Sequence, residues 1–165
     1  MKRELLILIM IVSLLYSCEK KNLPDPGGTS VQNMANEWWV TYTVNGSDVL
    51  NVGHVQIATY NSSTNNNELW VDDMGNGAEG YNFKVKVTAD MNNFTFTATN
   101  AANTRYVQGS VNPQTVTITN GKILPGMAHS KSGNVTDSIY MQAQVGNSTF
   151  IISGYARTRW PEDDY

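Results

Sequence analysis

The whole sequence contains a single cysteine, Cys18, so no intrachain disulfide can staple the fold. Two histidines, His54 and His129, without a spaced ligand motif do not make a zinc site. No Gly-x-Ser-x-Gly elbow occurs anywhere, which removes the commonest sequence signature of a serine hydrolase. No apolar run approaches the ~20 residues that a helix needs to cross a bilayer; the longest, from Leu5 to Leu15, is about half of that. No stretch carries a convincing amphipathic-helix period. Basic charge is also scarce: once Lys2, Arg3 and Glu4 are set aside with the leader described next, nine basic and thirteen acidic side chains remain, a formal charge of −4. A mildly acidic surface of this kind argues against nucleic acid and against anionic lipid headgroups as electrostatic partners.

What the N-terminus does have is a positive start (Lys2, Arg3), a short apolar core and a small residue, Ser17, before Cys18. Those are the parts of a secretory signal, 1–17, which is excluded from the fold. Leu15 at −3, Ser17 at −1 and a cysteine at the cut resemble the lipobox of bacterial lipoproteins. Cys18 is therefore expected to be lipidated, and multiple acyl chains give stable membrane anchoring. The expected address is the cell envelope, outside the cytoplasm, with the outer membrane favoured over the inner. Residues 18–34, including Leu23-Pro24-Asp25-Pro26-Gly27-Gly28, read as a flexible tether, because two prolines and two glycines oppose regular structure. The remaining segment, 35–165, is the length of one domain with its own core.

From Glu37 onward, apolar and polar residues alternate with period two in short runs broken by Asn, Gly and Ser, the pattern of half-buried strands. Trp38, Val40, Tyr42 and Val44 share a face opposite Trp39, Thr41 and Thr43. Phe83, Val85 and Val87 oppose Lys84 and Lys86. Phe94, Phe96 and Ala98 oppose Thr95, Thr97 and Thr99. Val116 and Ile118 face away from Thr117, and Ile139, Met141, Ala143 and Val145 oppose Tyr140, Gln142 and Gln144. Further strands are expected at Glu68 to Asp72, Arg105 to Val111 and Thr149 to Arg157, and Asn45-Gly46 predicts a type I′ hairpin turn. About nine short strands with no helix to cover their apolar face must close on themselves or pack on a second sheet. Short hairpin connections favour an all-β, up-and-down antiparallel barrel of about eight strands over a sandwich.

Leu69-Trp70-Val71-Asp72-Asp73, Tyr81 to Val87, Asn120-Gly121-Lys122-Ile123-Leu124, Lys131 to Ile139 and Ser153-Gly154-Tyr155-Ala156-Arg157-Thr158 together resemble a family of Bacteroidetes lipoproteins described as lipid-binding putative hydrolases. The resemblance implies a lipocalin-like (calycin) barrel. It transfers no catalytic residues, and Ala156 stands where the family pattern would carry a second basic residue. Calycins commonly pack a tryptophan of the first strand against an arginine of the last, so Trp38 and Arg157 are the expected barrel closers.

The interior set Trp38, Tyr42, Phe83, Phe94, Phe96, Met141 and Phe150 either fills the barrel or lines a site for one small apolar molecule. A lipid-like ligand held there by a monomeric, anchored barrel is the leading expectation, with no cofactor and no metal. Exposed Trp70, Tyr106, Tyr140, Tyr155 and Trp160 raise the alternative of a glycan- or protein-binding surface around a packed core. A lipid-directed hydrolase comes third, since only a triad drawn from His54, His129, Ser130 and Asp137 can be imagined. Asp72 to Gly77 reads as a turn rather than a calcium loop, because Met74 stands at a ligand position. Glu162-Asp163-Asp164-Tyr165 reads as a solvated tail.

Overall fold

The computed structural model describes residues 28–64 and 67–165. Eight antiparallel strands close in sequence order into one barrel: β1 (Asn36–Thr43), β2 (Val55–Asn61), β3 (Glu68–Asp72), β4 (Lys84–Asp90), β5 (Thr95–Ala102), β6 (Thr115–His129), β7 (Val135–Val145) and β8 (Ser148–Ala156). β1 pairs with both β2 and β8, from Trp38 opposite Ile57 on one side to Trp38 opposite Ala156 on the other. Among the described strands no sheet edge is left to pair with another chain. The only helical elements described are two single 3-10 turns, Gln32–Met34 and Pro161–Asp163.

The alternation sets the faces. Phe83, Val85 and Val87 are buried inside, while Lys84 and Lys86 stand outside. The inward residues of all eight strands merge into one apolar cluster with Val31 and Met34 from the first 3-10 turn. The packed unit thus begins before the expected boundary at Ala35. Gly154 is required at the β1–β8 seam: a Cβ there would collide with the Trp39 carbonyl and the Val40 backbone.

An up-and-down order sorts the connections to two ends. At the upper end lie the loops after β1 (44–54), β3 (73–83), β5 (103–114) and β7 (146–147). At the lower end lie the turns after β2, β4 and β6, with the 3-10 turn through which the chain enters β1.

Four expectations need correction. Asn45 and Gly46 take φ of 51° and 80° and make the tight turn, yet the chain then loops through 48–54 before β2 instead of returning as a hairpin strand. Arg105 to Val111 is not a strand. The Asn103 side chain receives the N–H groups of Lys84 and Arg105 and donates to the carbonyls of Asn82 and Pro113, folding the segment into turns. Phe94 is not an inward strand residue: it has φ 52° in the turn before β5 and is half-buried at the lower rim. The acidic end is not a solvated tail. Asp163 is fully buried, accepting from Ser132 N–H and the Thr158 hydroxyl, and Asp164 holds Arg157 through two hydrogen bonds.

Candidate functional site: the lumen and its two ends

The inward faces of eight strands bring Trp38, Tyr42, Phe83, Phe96, Met141 and Phe150 into the lumen, each with at most 1% of its surface exposed. A water-sized hollow would leave accessible surface on the side chains that line it. Tyr42, Phe83 and Met141 have none, so the interior is filled. The packing is aromatic toward the upper end, where Phe150 meets Tyr42 edge-on at 6.0 Å and Tyr81 edge-on at 5.2 Å.

The lower end is closed by a hydrogen-bonded knot. The Thr59 hydroxyl donates to the Met34 carbonyl at 2.6 Å and accepts from Trp38 Nε1 at 2.8 Å and from the Asn36 N–H at 3.1 Å. One side chain therefore pins the entering chain, the first strand and the second. Beside it Phe94, Pro125 and Asp137 contribute, with Trp38, to a surface pocket of about 310 Å³.

The upper end is closed by loops and charge. Asp73, with none of its surface exposed, accepts from the N–H groups of Gly75 and Phe83 and pairs with Arg105 Nε at 2.9 Å. Burial pushes its carboxyl up against the pull of those N–H groups. Burial also opposes ionisation of Asp72, but hydrogen bonds from Tyr60 and Arg105 outweigh it and leave that carboxyl below its ordinary range. Tyr42 points its hydroxyl into this region with no hydrogen-bond partner, and burial, with the nearby Asp73 and Asp72 charges, raises its pKa well above the ordinary phenol value. Asn82 Oδ1 and Asn112 Oδ1, also buried here, lack partners as well. Around this closure Val49, Met74, Val107 and Val111 are exposed on three loops of the same end.

The arginine expected to close the barrel lies over Trp39, not Trp38: the Arg157 guanidinium carbon is 5.8 Å from the centroid of the Trp39 ring. Period two turns Trp38 into the lumen and Trp39 to the outer wall, and only the outer one is within reach of an outward Arg157. Hydrogen bonds to Asp164 and Glu37 push the Arg157 pKa further up. Tyr165 completes the latch, edge-on to Trp39 at 5.5 Å and stacked on His54 at 4.0 Å.

No triad is assembled. His54 is stacked on Tyr165, Ser130 shares a hydrogen bond with Ser132, Asp137 accepts from the Gly126 N–H, and His129 is exposed. The Asp72 to Gly77 segment is a turn whose carboxylates are engaged by backbone N–H groups and Arg105. Among the described residues, no group of three or more His, Cys, Asp or Glu could hold a metal ion. No described helix is long and apolar enough to cross a membrane. Cys18 lies outside the described residues. The outer aromatics are partly covered: Trp70 lies within 5.0 and 5.4 Å of the Lys84 and Lys86 ammonium groups, while Trp160 is open to solvent. The upper-end polar closure, the Thr59 knot and the C-terminal latch carry no sequence motif; only the turn-forming character of Asp72-Asp73 pointed toward any of them.

A closed eight-stranded antiparallel barrel with an apolar lumen and a helical turn at its entry defines a lipocalin-like fold. The chain belongs to the family described as lipid-binding putative hydrolase, whose model matches residues 23–161. A comparison with curated proteins returned no match.

Proposed function

We propose that the chain is a monomeric lipoprotein of the cell envelope, anchored through acylated Cys18, outer membrane favoured, whose barrel takes up an apolar, lipid-like molecule at its upper end. The observation that carries this reading is the set of exposed apolar residues on three loops of the upper end, Val49, Met74, Val107 and Val111, at the same end as the buried, unpartnered Tyr42 hydroxyl. Leu124, Met127 and Val135 are exposed as well, at the lower end, which the Thr59 knot closes. Family membership supports the ligand class. Because the lumen is filled, uptake requires the 73–83 and 103–114 loops to part and the Phe83 and Phe150 rings to yield room. The unpaired Tyr42 hydroxyl is the hydrogen bond such a site offers to a headgroup.

Native mass spectrometry of the chain extracted from membranes under mild conditions tests the reading. A co-purifying lipid mass is expected; an empty barrel from lipid-replete membranes would sink it. A second test locks the mouth. A Cβ on Gly80 would lie 3.9 Å from Val111 Cβ, within the ~3.5–4.5 Å of a disulfide, although φ of 86° at Gly80 makes any side chain there strained. The double variant Gly80→Cys, Val111→Cys should lose lipid uptake when oxidised and regain it when reduced. Anchoring is tested separately: Cys18→Ala should release the chain from membranes and remove the acyl mass from its N-terminus.

The filled lumen gives specific support to a second reading, a packed barrel that binds glycan or protein on its outer surface. A lipid-directed hydrolase has the least support. Replacing His54, His129 and Ser130 together should leave any esterase turnover unchanged, and a loss would restore that reading.

A further inference from the structure

Where β5, β6 and β7 run side by side, the outer wall of the barrel is concave. The β6–β7 ladder is irregular between Thr119 and Lys122, the β5–β6 ladder shifts between Phe96 and Ala98, and Asn120 takes φ 53°. A bulge bends a strand and re-aims its side chains. Glycine is needed at 121, since a Cβ there would strike the Phe96 carbonyl and ring. The result is a groove of about 530 Å³ lined by Thr95, Thr97, Asn120, Gly121, Lys122 and Tyr140, within the ~300–1,000 Å³ span of small-ligand pockets.

The chemistry of this lining is not that of the lumen. Thr95 and Thr97 present exposed hydroxyls from one strand. Asn120 Nδ2 donates to Gln142 Oε1 at 3.0 Å and Gln142 Nε2 donates to the Tyr140 hydroxyl at 3.4 Å, which fixes the carboxamides and the ring relative to one another. Lys122 Nζ stands 5.2 Å from the Tyr140 centroid, and among the described residues no carboxylate lies within ion-pair distance of it. Every other lysine or arginine among the described residues has an anionic or carbonyl partner, Lys131 through the Asp164 carbonyl and Arg159 through Glu37. A purely apolar ligand would leave these donors and acceptors unpaired, and a polyanion would find one cation on an acidic protein.

We propose that this groove binds a saccharide bearing a carboxylate, a uronate-containing glycan. Sugar hydroxyls pair with Thr95, Thr97 and Asn120, the C–H face of a pyranose packs on Tyr140, and the carboxylate meets Lys122. The site lies on the wall, apart from the upper end, so it stands whether or not the lipid reading does.

The test is calorimetric titration of the full mature chain with trigalacturonate, with neutral galactotriose as the comparison. Trigalacturonate should bind at least ten-fold more tightly than galactotriose, and raising salt from 0.05 to 0.5 M, well past the screening length of the ion pair, should weaken it several-fold. Tyr140→Ala should abolish binding, and Lys122→Gln, which leaves the ring and fold in place, should cost about ten-fold while lipid content is unchanged. No binding at millimolar trigalacturonate, equal binding of the two sugars, or full binding by Lys122→Gln overturns the proposal.

Discussion

At Tyr42 a phenol is buried in full with its hydroxyl unpaired. Leaving such a group without a partner costs about 1–3 kcal/mol, so Tyr42→Phe should raise stability by about 1 kcal/mol in urea titrations; a loss of stability would mean that the hydroxyl is satisfied by a buried water. Thr59 is the opposite case, one hydroxyl serving Trp38, Asn36 and Met34 at once. Thr59→Val should destabilise by about 2 kcal/mol, because it orphans an indole N–H and a carbonyl in the closed lower end. Thr59→Ser should recover most of that loss. Gly154→Ala places a methyl group on the backbone of β1, and overpacking of this kind costs about 1–3 kcal/mol. Thermal unfolding checks it: a lowered midpoint is expected, and a midpoint equal to that of the unsubstituted chain would deny the close approach.

Among the elements, the C-terminal latch from Pro161 to Tyr165 makes the sharpest pH prediction. Burial would raise the Asp163 carboxyl, but hydrogen bonds from Thr158 and Ser132 bring it down to about 2, and Arg157 holds Asp164 below its ordinary value. A carboxyl depressed in the folded state contributes stability above its unfolded pKa and loses it as pH falls through the folded one. The latch should therefore hold from neutral pH down to about 4 and release between about pH 4 and 2, read as a change in Trp39 fluorescence. Release near pH 6 would contradict this origin. The latch also shows what was not legible. Four residues reading Glu-Asp-Asp-Tyr look solvated when only their neighbours in sequence are considered, and their partners Arg157, Ser132, Trp39 and His54 become neighbours only when the barrel closes. β4 shows the reverse: Phe83, Val85 and Val87 against Lys84 and Lys86 specify their faces locally, because a strand has only two sides. Phe94 and the 105–111 segment fell between these cases. Both alternate acceptably, and a turn backbone at one and the Asn103 hydrogen bonds at the other overrule the alternation.

For the whole molecule, closure was readable because many short strands without helices have few other ways to bury one face, and the order of strands followed from short connections. Whether the lumen was hollow was not readable, since the same Phe, Met and Tyr residues can fill a barrel or line a cavity; only their packing against one another, which leaves Tyr42, Phe83 and Met141 without exposed surface, decides it. The two ends of the molecule are also unequal in a way composition hides. The chain enters at the lower end, where Val31 and Met34 plug the barrel; exposed apolar residues lie at both ends, Val49, Met74, Val107 and Val111 on the upper loops and Met127 and Val135 beside the β6–β7 turn below. Ten residue-to-residue steps lead from Cys18 to Gly28, and a chain spans at most ~3.3–3.6 Å per residue, so an acylated chain keeps its lower end within about 35 Å of the bilayer. Spin labels at Asn92 and Ser110 should report this in lipid-anchored samples: relaxation by a membrane-bound agent is expected to be stronger at Asn92, and equal effects would deny the orientation.

On the proposed anchoring and uptake, that plugged entry point sets the direction from which cargo would come. A vessel so moored by its base, with its mouth at the far pole, would be poorly placed to draw from the leaflet that moors it. Its cargo would arrive from the opposite side of the compartment, delivered across water by another carrier or from a facing membrane.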